Sequence, residues 1–250
     1  MSAGLVAVLI GFQFALMVSA VSLEEAGDFQ RLADAVPAFI REAAGPALGS
    51  FAGMTVIAYW EPAILLALCF FAVYVASEPA GDVESGIVDL VLARPLPRHW
   101  LITRSLLVLI GACVVMVGTL GLSNWTALAT MAPDGAVWPE RHVVLLMMAH
   151  LAALMWCFGG LSLATAAHAE RRGAAIGLMA LVIVTMYVVH LVEEFTTRFD
   201  GVGWFSPFHY FQGTAILRGD APLARNFTVL LSIGAAGVAA AYARFSRRDL

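Results

Sequence analysis

The sequence predicts an all-α integral membrane protein with six transmembrane helices and both termini in the cytoplasm. Three observations carry this. Only 13% of the 250 residues are charged and the mean hydropathy is +0.85, whereas soluble domains carry about 25% charged residues. Six stretches reach the ~20 mostly apolar residues that a spanning helix needs, and none alternates with the period of two expected of a barrel strand. The arginines are densest on the short segments that six spans, entered from inside, leave in the cytoplasm.

The first span is 3–23. No basic region precedes it and no small-residue cleavage pattern follows, so it reads as a spanning helix and not as a removable signal peptide. The second is 55–77, interrupted near its beginning by Glu61-Pro62. The others are 100–122, 143–167, 173–192 and 226–243. Together they read as a single transmembrane domain over 1–250.

The connecting segments set the orientation. With the termini inside, eight arginines are cytoplasmic and six are outside. Density separates the sides more clearly than count. The inner turn 168–172 and the tail 244–250 are short and arginine-rich, while the outer segments are long and hold Glu24, Glu25, Asp28, Asp34, Glu193 and Glu194. Outer segment 24–54 has room for an interfacial helix over 28–44, broken at Pro37. Segment 123–142 reads as a loop. Segment 193–225 contains "GWFSPFHYF" (203–211), whose aromatic residues suit the membrane interface. This outer segment before the last span is expected to lie on or dip into the outer leaflet.

Composition also excludes chemistry. All 14 basic residues are Arg and none is Lys. A Walker A phosphate loop needs a Lys, as does a Schiff base, so any ATP hydrolysis falls to another chain. A net charge of −4 speaks against nucleic acid as a partner. Cys69, Cys113 and Cys157 lie apart in three apolar stretches, which suggests buried hydrophobes and neither zinc nor disulfides. No acid–base pair or metal constellation falls within a span, so an enzyme is not expected and no cofactor is called for. "FGGLSLA" (158–164) holds small residues that suit close helix packing in lipid. Asn124-Trp-Thr126 and Asn226-Phe-Thr228 match a glycosylation sequon too short to carry weight.

The segment "ESGIVDLVLARPLPRHW" (84–100) stands out on the cytoplasmic side. A helix is expected over 83–93, apolar through Ile87, Val88, Leu90, Val91 and Leu92. Glu84 and Asp89 lie early and Arg94 late, as the helix dipole favours, and Pro95 ends it.

This segment resembles the first cytoplasmic loop of type-2 ATP-binding-cassette (ABC) exporter permeases, with Glu84, Gly86, Asp89, Leu90, Leu92, Pro95 and Arg98 in register. "FSPFHYF" (205–211) is similar to the aromatic-proline segment that follows the family's fifth span, and "RFSRRDL" (244–250) resembles its cytoplasmic tail. The three pieces fall in family order over nearly the whole chain. The resemblance implies a permease subunit of an exporter in a cell membrane, that of a bacterium. It pairs with a second permease chain, in a homo- or heterodimer, and docks a separate ABC ATPase subunit that binds the ATP. The loop helix is then the coupling helix, with Glu84, Gly86, Asp89, Leu90, Leu92, Arg94, Pro95 and Arg98 as coupling residues. One departure is plain: Met1-Ser2-Ala3 leads straight into apolar sequence where the family has a basic amphipathic N-terminal helix, so either the start is misassigned or truncated or this member lacks that helix.

Ionisable groups within spans are expensive and so point to function. Glu61, His150 and His190 all fall in the outer half under this topology. They are candidates for a polar lining of the outer translocation path, against the alternative of simple solvation in a wet vestibule. A haem or zinc site on the two histidines has no further support. The rival to a permease subunit is a self-sufficient membrane protein, a secondary transporter or an intramembrane enzyme. Inverted repeats with matched broken helices, which would favour the former, are not evident.

Overall fold

The computed structural model describes residues 2–27, 31, 49–86, 99–195 and 201–245. Among these, every regular element is helical, and six helical segments are long and apolar enough to cross a membrane. In chain order the helices are α1 (Ser2–Ala26), α2 (Phe51–Val56), α3 (Pro62–Ala76), α4 (Glu78–Glu84), α5 (Trp100–Met131), α6 (Arg141–His168), α7 (Arg172–Phe195), α8 (Gly213–Arg218) and α9 (Leu223–Phe245). The candidate outer helix over 28–44 lies outside the described residues.

The second span is composite. α2 runs into a 3-10 turn at Ile57–Tyr59, and α3 restarts at Pro62. Proline suits the first turn because its missing N–H has no intrahelical partner there. A break at membrane depth must satisfy its backbone from within the protein. Here Gln13 Nε2 of α1 (3.0 Å) and Asn124 Nδ2 of α5 (2.5 Å) both donate to the Thr55 carbonyl. One carbonyl thus pins three spans together.

The third span corrects the sequence reading. The loop expected over 123–142 is helical as far as Met131. Ser123, Thr126 and Thr130 donate to carbonyls three or four residues back, and Asn124 is engaged at Thr55. These polar residues therefore continue the helix. The helix stops where Ala132, extended at ψ 132°, precedes Pro133, as residues before proline must. Its 32 residues rise about 48 Å, more than a hydrocarbon core of ~30 Å. Asn124 and Asn226 are both buried, which removes the two sequons from consideration.

α6 is the most buried span, while α7 and α1 are the least. The core around α6 includes Leu68 and Val73 of α3, Leu109, Met116 and Leu120 of α5, and Met147, Leu154 and Phe158 of α6 itself. α6 and α9 touch backbone to backbone. A Cβ on Gly160 would collide with the Gly234 carbonyl, and one on Gly237 would collide with the Gly160 backbone. Trp156 Nε1 donates to Leu231 O across the same seam at 3.2 Å. The small residues of 158–164 do serve close packing. The three cysteines are buried.

Candidate functional site

α7 starts at Arg172 and ends at Phe195, so its two tips mark the two ends of the bundle. Each end carries a polar cluster of a different kind.

At the Arg172 end, α4 lies across the feet of the spans. Asp82 is the buried member, its side chain 8% exposed, and Arg104 Nη2 of α5 lies 2.6 Å from its Oδ2. Burial pushes the Asp82 carboxyl above its ordinary range. The positive charge of Arg104 pulls it back, and Glu78 adds to the rise. Arg172 does more. Its Nη2 meets Glu78 Oε2 at 2.9 Å and Tyr74 O at 3.0 Å, its Nε donates to Ser77 Oγ at 3.2 Å, and its guanidinium sits 4.5 Å from the centre of the Tyr74 ring. Its aliphatic stem crosses α4 at Gly81, where a Cβ would lie 3.0 Å from Arg172 Cδ. Its backbone N–H donates to Glu84 Oε2 at 2.8 Å, so the Glu84 carboxylate caps the start of α7, a favourable place for a negative charge. Ala80, Ala166 and Ala175 fill the space beneath. Nearby, Thr103 Oγ1 and Tyr242 Oη, 2.7 Å apart, tie α5 to α9.

This cluster changes the reading of 84–100. Val83 and Glu84 are the last residues on α4, a helix that begins at Glu78. It ends through Ser85 to Gly86, whose φ of +70° is left-handed, a conformation that suits glycine as a helix stop. The helix expected from Val83 therefore does not run through Gly86. Asp89, Leu90, Leu92, Arg94, Pro95 and Arg98 lie outside the described residues. Glu84 faces back into its own chain. Asp82, Arg104 and Arg172 were not singled out from the sequence as a site. Arg104 carried the usable signal, a charge in the first turns of an apolar span.

At the other end, the segment 201–212 folds into the bundle. It leaves a left-handed Gly201 (φ 92°) and makes two short 3-10 turns, Val202–Phe205 and Pro207–Tyr210. Phe208, 1% exposed, packs between Phe158 (5.1 Å) and Tyr187 (5.2 Å), ring centre to ring centre. Phe158 lies 10 residues before the end of α6 at His168, so this aromatic segment plugs the bundle at depth. The segment packs on protein through Phe208, while Phe205 is 83% exposed. Ser206 Oγ donates to Met186 O (2.8 Å), and Tyr210 Oη donates to Trp204 O (3.0 Å). His209 Nδ1 and Glu193 Oε2 are 2.8 Å apart, with side chains only 15% and 16% exposed. Gly203 sits so close to the Glu193 carboxylate that a Cβ there would overlap it.

The three intramembrane candidates have different neighbours. Glu61 is the N-cap of α3, accepting from Ile64 N at 3.0 Å, which accounts for it as a helix start. His150 is buried in the core, its Nδ1 2.9 Å from Leu146 O and its ring 5.5 Å from Phe227. Its Nε2 is buried without a hydrogen-bond partner among the described residues. His190 lies beside Tyr187, at the edge of the plug. Of the three, His190 stands next to Tyr187, the ring on which Phe208 of the aromatic segment packs.

No protein-family model matches the chain, and no curated protein matches it.

Proposed function

We propose that the chain is the membrane-spanning permease subunit of an ABC exporter, working with a second permease chain and a separate ATPase subunit. The Arg172 end of the bundle is cytoplasmic in this reading, and the plug end faces outward. That orientation agrees with the dense arginines at 171–172 and 244–248. The lack of lysine leaves ATP hydrolysis to the partner. The subunit performs no covalent step. It moves cargo outward as the ATPase closes, in a cell membrane such as a bacterial plasma membrane.

One observation carries the reading. α4 leads in sequence toward 87–98, and α4 is tied to α5 through Asp82–Arg104 and to α7 through Glu78, Glu84 and Arg172. A partner that pushed on that segment would push on three spans at once. Ties on both sides suit a helix that passes force from the segment that follows it to the spans.

The test is purification of the tagged full chain from its native membranes. A chain carrying a Walker lysine should co-purify in fixed ratio. Asp89→Arg should reach the membrane at the normal level yet lose that chain, because a like charge in a docking groove costs several kcal/mol. Absence of any ATPase, with ATP-independent transport by the purified chain, would favour a secondary transporter and sink the proposal.

A further inference from the structure

Glu193 and His209 form an ion pair of two titratable groups that joins the plug to a span. Other ties of the plug, the Phe208 ring contacts, the Ser206–Met186 hydrogen bond and the Asn226–Gln212 hydrogen bond, do not change charge with pH. We propose that the Glu193–His209 pair is a proton-operated latch. With His209 protonated the aromatic plug is held in the bundle, and when His209 gives its proton to water the plug is released. The placement of this latch on the outer face rests on the exporter reading; the latch itself does not.

The geometry gives the sign. A charged imidazole 2.8 Å from a carboxylate makes a short charge-assisted hydrogen bond. At 15% and 16% exposure it is screened far less than a surface pair. A neutral imidazole can still donate from Nδ1, but the Glu193 charge is then left in a poorly solvated place without a countercharge, which is costly. Gly203 packs directly on that carboxylate, so movement of the segment would open it to water. The chain provides for movement: Gly201 is left-handed on one side, and on the other Phe211 and Gln212 are neither helical nor in a regular strand.

The groups that could interfere can be named. The turn Pro207–Tyr210 packs on α7, α9, α6 and the neighbouring turn Val202–Phe205. α7 brings Tyr187, His190 and Glu193, with Glu194 next in sequence. α9 brings Arg225, whose guanidinium is bonded to Asn226 Oδ1 at 3.2 Å. α6 brings His150, which lies against Phe227. The plug contributes Tyr210, and Val202–Phe205 contributes no titratable side chain. Of the described groups among these, His209 is the one with a ring nitrogen at 2.8 Å from the Glu193 carboxylate.

The test needs neither ATPase nor cargo. Spin labels are placed on the exposed positions Phe205→Cys and Val137→Cys of the full chain in lipid nanodiscs, with Cys69, Cys113 and Cys157 replaced by Ala. Their distance distribution is measured from about pH 5.5 to about pH 8.5, on either side of the ordinary histidine value of about 6.5. One narrow population is expected in acid, with a second, shifted population growing as pH rises. Glu193→Gln, which cannot make the ion pair, should give a distribution that no longer depends on pH. A distribution in the parent that stays the same throughout overturns the latch. So does an unaltered pH response in Glu193→Gln. Either result leaves the exporter reading to its own test, and loss of ATPase co-purification leaves the latch standing.

Discussion

The two ends of the bundle bind a short segment to the spans by opposite means. At the Arg172 end, α4 is held by two arginines and three carboxylates, with a buried charge at the centre. At the plug end, the described ties of an aromatic segment are ring packing, hydrogen bonds from Ser206 and to Gln212, and the Glu193–His209 ion pair. The first arrangement is redundant, and no single proton undoes it. The second concentrates its charge in one pair with a histidine in it. A bundle built this way has a stiff handle at one end and a releasable stopper at the other. That division suits a transporter driven from the handle.

The largest effect should come from Arg104. In Arg104→Ala the Asp82 charge stays buried without its 2.6 Å partner, and breaking such a pair costs about 3 kcal/mol, the low end for buried pairs because Arg104 is itself partly exposed. Thermal unfolding in detergent micelles should show it. Asp82→Asn should cost about 1 kcal/mol or less, since Arg104, 41% exposed, can turn to water. Combining the two changes should recover much of the loss. Equal costs for the two single variants would mean that the cluster is a surface network.

Glu84→Gln comes next. It keeps the shape but removes the charge that caps α7, for about 1 kcal/mol. The expected sign is faster hydrogen exchange of the first amides of α7, with the plug unaffected. At the plug, His209→Gln should cost less than Arg104→Ala, because release of the segment lets the Glu193 charge reach water. Exchange in 202–211 should nevertheless rise. If His209→Gln cost as much as Arg104→Ala, the two ends would not differ in kind.

The smallest effect is a pH dependence at α4. Burial raises the Asp82 carboxyl, so its contribution to stability is fully present below the ordinary carboxylate value of about 3.9. It is lost as pH rises through the higher folded value. Relative to Asp82→Asn, the parent's melting temperature should fall slightly as pH increases across that window. A rise instead would mean that Arg104 outweighs burial.

Much of the fold was legible because lipid makes hydropathy decisive. All six spans were found, and Glu61-Pro62 marked the break in the second. The error at 123–142 has a physical source. Serine, threonine and asparagine read as loop residues, yet in a helix they can bond back to their own turn, and Asn124 finds a carbonyl 69 residues away. The helix expected from Val83 missed the stop at Gly86, because Glu84 looked like a beginning when it is an end. The two clusters were the least legible. Their partners are separated by 16, 22 and 88 residues, and only packing brings them together. Their members were visible one at a time: Arg104 as a charge in a span, and His209 within an aromatic run.

In the proposed reading α4 is the handle through which a partner ATPase moves the spans, among them α7, on which the plug packs. This reading is tested most directly by measuring the 137–205 label distance in the complex with the ATPase, with and without ATP and vanadate to trap the closed state. The parent should show a nucleotide-dependent shift. Arg172→Ala, which strips Glu78, Ser77 and Tyr74 of their shared partner, should keep the ATPase bound and hydrolysing but lose that shift. A plug distance that ignores nucleotide in the parent, or that responds equally in Arg172→Ala, would contradict the account.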